Sequence, residues 1–136
     1  MRNLADELLQ EAVSRPPAEV DLASAALLIA LDEYPNLNPQ EYLFRIDQLA
    51  IEIRQLLHFP VRERPVEAIE KLNHYLFEVE GFRGNQENYY DPRNSFLNEV
   101  LDRKTGIPIT LSVVYMEVGK RLGLPWKAWE CLGISF

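Results

Sequence analysis

Residues Tyr89–Pro125, YYDPRNSFLNEVLDRKTGIPITLSVVYMEVGKRLGLP, hold the densest turn chemistry in the chain and two helical patterns, and their reading decides the fold. Asp91-Pro92-Arg93-Asn94 is a turn signal, because proline presets φ while Asp and Asn side chains bond nearby backbone groups. Asn94 or Ser95 is expected to cap a short helix running through Arg103. Gly106 is expected to close that helix and Pro108 to occupy the first turn of the next, where a missing N–H costs nothing. From Ile109 to Leu122 the apolar positions Leu111, Val114, Tyr115, Val118 and Leu122 face one way, and Gly123-Leu124-Pro125 ends the run. A helix N-terminus presents unpaired amides and the positive end of a dipole, where a thiolate or an oxyanion would be held. The side chains available there are Ile109, Thr110 and Ser112, and hydroxyls are poor nucleophiles without a base within hydrogen-bond reach. The sequence supplies no evident base.

Upstream, the chain reads as a series of helices. Asn3 to Val13 forms a first amphipathic pattern, stopped by Pro16 and Pro17. From about Ala18 to Glu33 the pattern is helical with little polar surface, as for a helix buried on most of its circumference. Asn38, Pro39 and Glu41 form the next start signal, with Asn38 as N-cap and Glu41 placed to reach back in a capping box. Leu43, Ile46, Leu49, Ala50, Ile53, Leu56 and Leu57 then keep a 3.6-residue stripe until His58-Phe59-Pro60. Pro65 opens a fourth helix with Ile69, Leu72, Leu76 and Val79 inward, closed by Gly81 in a left-handed cap. Glu67, Glu70 and Lys71, and likewise Glu117, Lys120 and Arg121, are expected on solvated faces. After Pro125 the run from Trp126 to Leu132 alternates like a strand. One strand makes no sheet, so it is expected to pair outside the chain or with a continuation of the fold beyond Phe136.

Composition narrows the class. With 136 residues, 47% hydrophobic and 26% charged, the chain suits one domain with a core. A net charge of −7 argues against nucleic acid and anionic membrane as partners. The longest apolar run, Ala25 to Leu31, cannot span a bilayer, and the acidic N-terminus is no secretory signal. A lone Cys131 permits no intrachain disulfide, so the cytoplasm is the expected compartment. His58 and His74 lie far from any ligand cluster, and no metal or cofactor is expected. The glycine loop at residues 81–88, GFRGNQEN, lacks the Lys-Ser/Thr of a phosphate loop and reads as a cap and turn. Cys131 reads as a buried, inert thiol, since nothing near it in sequence would lower its pKa.

From Asp21 to Phe136 the chain resembles the N-terminal portion of bacterial transglutaminase-like proteins of the invasion-regulator B type, often accompanied by tetratricopeptide repeats. The resemblance rests on ALLIALDEYPNL, YLFEVEGFRGN and the long stretch quoted above. It implies a papain-like, transglutaminase-type core in which the helix Ile109–Leu122 is central and packs against an antiparallel sheet. The fold class expected is therefore mainly α within an α+β family core, with one C-terminal strand and an incomplete sheet. Residues 1–136 are expected to form one domain, helical over 1–88 and carrying the central helix and first strand over 89–136.

Active members place a cysteine at the start of that helix and a histidine and an aspartate on the strands that follow. Pro108-Ile109-Thr110 stands here instead, and the histidine-bearing strand is expected beyond Phe136, as in a truncated domain. The resemblance thus implies a non-catalytic protein-binding or regulatory module, a pseudoenzyme with no catalytic residue. Its candidate surface comprises Tyr90, Asp91, Arg93, Asn94, Ser95 and Thr110, although local capping alone would also account for these polar residues. The alternatives are a cysteine-dependent amide transferase or hydrolase using Cys131 or residues after Phe136, and a purely structural helical scaffold. A protein partner is expected, and so is self-association through the C-terminal strand, where Trp126, Trp129, Leu132, Ile134 and Phe136 would lie poorly covered.

Overall fold

The computed structural model describes residues 21–124. The expected first helix, the terminal strand and Cys131 lie outside the described residues. Within them the architecture is mainly helical. Helices α1 (Leu22–Ala30), α2 (Pro39–Leu56) and α3 (Pro65–His74) come first, and α3 runs on into a wider π turn, Tyr75–Val79. Then come strand β1 (Arg83–Gly84), a 3₁₀ turn (Pro92–Ser95), α4 (Leu97–Arg103), β2 (Thr105–Gly106) and α5 (Pro108–Arg121).

Helix α5 is the hub, packing against α1, α2, α3, α4, both strands and the 3₁₀ turn. Val114 and Val118 are sealed among Leu27, Ile46, Ile53, Leu72, Leu76, Leu97 and Val100, each contributed by a surrounding element. Burying aliphatic side chains of this size stabilises by about 1.5–3 kcal/mol apiece relative to exposure. Its C-terminus closes in a Schellman motif. Gly123 takes φ +84, Leu124 N–H donates to Gly119 O at 2.9 Å, and Gly123 N–H donates to Lys120 O at 3.1 Å.

Other start signals act as the sequence implies, with local differences. Asn38 accepts from Gln40 N–H at 3.1 Å and Pro39 occupies the first position of α2. Glu41 does not close a capping box with it but turns to Arg45 one turn on, at 3.4 Å. Ile46, Leu49, Ala50 and Ile53 are buried, whereas Leu56 at the last position of α2 is exposed. Helix α1 is shorter than the pattern over 18–33 implies, because turns begin at Leu31. All of its residues except Ile29 are nonetheless at least partly buried.

Three expectations require correction. Val79 faces solvent, because the π turn widens the helix after His74 and carries Val79 off the inner face. The same turn lays Phe77 on Tyr115, with ring centroids 5.3 Å apart. Gly106 does not close α4. Lys104 does so, in the left-handed region at φ 54, while Gly106 belongs to β2. Most consequentially, Glu117 is not on a solvated face but 2% exposed in the interior.

The sheet is a two-residue parallel pair with Arg83 opposite Thr105 and Gly84 opposite Gly106. Arg83 N–H donates to Lys104 O and Asn85 N–H to Gly106 O, each at 3.0 Å. This pairing fixes the chain after α3 beside the start of α5, and so places the site.

Candidate functional site

At the N-terminus of α5 lies a buried polar node. Asn94 is fully buried. It caps neither α4 nor the 3₁₀ turn: Asp91 caps that turn, accepting from Arg93 N–H at 3.0 Å, and α4 starts at Leu97 with Phe96 before it. Ser95 is exposed and serves no cap either. The expected cap by Asn94 or Ser95 is thereby corrected, because the 3₁₀ turn occupies the residues from which α4 would have been capped.

Asn94 instead bonds across the loop. Its Nδ2 donates to Asn88 O at 2.9 Å and Tyr89 O at 3.0 Å, and its Oδ1 accepts from Asn85 Nδ2 at 3.1 Å. Its main-chain carbonyl accepts from Thr110 Oγ1 at 2.8 Å. Thr110 Oγ1 also accepts from Ile107 N–H at 3.2 Å and lies 3.1 Å from Ile107 O. A threonine hydroxyl has one proton and two lone pairs, so little capacity is left over. Gly106 makes this approach possible, since a Cβ there would lie 2.7 Å from Thr110 Oγ1 and 3.0 Å from Val100 Cγ2. Ser112 Oγ donates to Pro108 O at 2.6 Å, the back-bonding typical of serine within a helix. Both hydroxyls at the start of α5 are therefore occupied by main-chain carbonyls.

Above the node, the same loop is presented to solvent. Tyr90 is 92% exposed and packs edge-on to Tyr89, with centroids 5.3 Å apart. Arg93 grips Asp91 through Nη2 at 2.7 Å and Nε at 3.1 Å. Bonding from the Arg93 guanidinium and amide holds the Asp91 carboxyl at about 2, well below the ordinary carboxylate range. Of the six candidate residues, then, Tyr90, Arg93 and Ser95 lie on the surface, Asp91 is half-buried between them, and Asn94 and Thr110 lie beneath as supports. His58 and His74 are exposed, on the segment after α2 and at the end of α3. Among the described residues, no group of three or more His, Cys, Asp or Glu could hold a metal ion.

Glu117 is the residue that charge-based reading misses. Its Oε1 accepts from Leu22 N–H at 2.8 Å and Ala23 N–H at 3.3 Å, and its Oε2 accepts from Arg121 Nη1 at 2.6 Å. With Asp21 accepting from Ser24 N–H at 3.1 Å, these bonds satisfy three of the four free amides of α1. Burial opposes the Arg121 charge, but bonds to Asp47 and Glu117 more than offset it and keep the guanidinium firmly protonated. The helical period carried the signal: Thr110, Val114, Glu117 and Arg121 recur at intervals of four, three and four, on one face.

A family model described as the transglutaminase-like superfamily matches residues 40–130. The chain belongs to the transglutaminase-like superfamily. A UPF0162 protein of Xylella fastidiosa is 43% identical over 119 residues, covering 85% of this transglutaminase-like chain and 38% of that protein. A UPF0162 protein of Vibrio cholerae is 38% identical over 77 residues, covering 56% of the chain and 27% of that protein. F-box only protein 21 of Mus musculus is 37% identical over 59 residues, which is 43% of the chain and 9% of that protein. The chain thus spans well under half the length of the curated relatives it matches. No solved structure matches it.

Proposed function

We propose that this transglutaminase-like chain is a non-catalytic protein-binding or regulatory module of the invasion-regulator B type. The whole protein would be cytoplasmic and accompanied by tetratricopeptide repeats. One observation carries the reading: at the start of α5, Thr110 Oγ1 is 2.8 Å from Asn94 O in a position only 6% exposed. A hydroxyl spent on a buried carbonyl is not available as a nucleophile, and Ile109 beside it, 73% exposed, offers only hydrocarbon. The arrangement holds up a loop and does not activate an atom.

The recurrence of a 59-residue part of the sequence within 9% of a far longer mouse protein fits a portable module. Tyr90, Arg93 and Ser95 form the proposed contact surface, with Asn94 and Thr110 fixing it from below. A rigid loop loses little entropy on binding, and an exposed tyrosine and arginine are the side chains most often dominant at interfaces.

The test is amine incorporation into glutamine substrates and amide hydrolysis by the purified chain. No turnover above buffer is expected. Turnover abolished by Cys131→Ala would overturn the proposal in favour of a cysteine-dependent enzyme. For the binding surface, Tyr90→Ala, at a side chain 92% exposed, is expected to weaken capture of the partner while leaving the melting curve in place.

A further inference from the structure

We draw no further inference here: the strongest candidate, the apolar-floored cavity of about 320 Å³ over Leu49, Phe82 and Leu101 between α2 and the end of α4, carries none, because its rim cations Arg45 and Lys104 already pair with Asp102 and Glu80 and nothing in the structure shows what covers it.

Discussion

Replacing Glu117 by alanine should detach α1 from the core more effectively than any surface change in the chain. The substitution leaves Leu22 and Ala23 N–H without their acceptor and removes one of the two carboxylates that hold Arg121. Hydrogen bonds to charged groups contribute about 1.5–3 kcal/mol each, and breaking a buried ion pair from one side costs about 3–5 kcal/mol. Leu22 is only partly buried, so water can recover part of its loss, and Arg121 keeps Asp47. The expected cost is therefore about 3 kcal/mol, at the lower edge of the buried-pair range. Glu117→Gln keeps an acceptor for the two amides but loses the charge facing Arg121, so about half of that cost is expected. The assay is urea denaturation of the three proteins followed by tryptophan fluorescence and far-UV circular dichroism. In a domain of this size, about 3 kcal/mol lowers the melting temperature by roughly 10 °C. Glu70→Ala, on the exposed face of α3, serves as a control expected within about 0.5 kcal/mol of wild type. A Glu117→Ala protein as stable as that control would refute the reasoning, and so would a Gln variant as damaged as the Ala one.

Gly106→Ala should cost about 1–3 kcal/mol by overpacking, because the new methyl would meet Thr110 Oγ1 and Val100; Gly84→Ala, with open space around it, should cost far less. Hydrogen exchange should show residues 85–94 losing protection in the Gly106 variant, since Thr110 is pushed off the Asn94 carbonyl; unchanged protection would contradict the packing argument. For Asp91, the folded carboxyl lies at about 2 against an ordinary 3.8, so the stability it contributes is fully present above about pH 4 and is lost as pH falls through 2. Acid titration of stability should therefore be shallower between pH 4 and 2 in Asp91→Asn than in wild type, and parallel curves would show that the Arg93 pairing adds nothing.

Much of the fold could be read from local chemistry. Asn38 and Pro39 start α2 where their residue types demand, and Gly81 and Gly123 adopt the positive φ that ends a helix. The apolar stripe of α5 likewise marks it as a core helix, because a period of 3.6 leaves one face to bury. The candidate site was half legible. Asp91-Pro92 signalled a turn correctly, but whether Asn94 capped the next helix or reached across the loop depended on where that helix began. The 3₁₀ turn shifted its start to Leu97 and freed the Asn94 side chain for Asn85, Asn88 and Tyr89. Val79 escaped a correct reading for a similar reason, since one wide turn after His74 changes the face on which every later residue falls.

By itself, then, the sequence determined the start of α2, the stops at Gly81 and Gly123, the apolar face of Ile109–Leu122 and the absence of cysteine at that helix's start. Those properties depend on residues within a few positions of one another, where backbone geometry and hydrophobic period act directly. Only the tertiary structure decided what the polar residues do. Glu117 reads as solvated until α1, more than ninety positions away, brings its free amides to the carboxylate. Thr110 reads as a weak nucleophile until the β1–β2 pairing and Gly106 bring the Asn94 carbonyl to its hydroxyl. A polar side chain's role is set by the partner it meets, and here those partners come from distant parts of the chain.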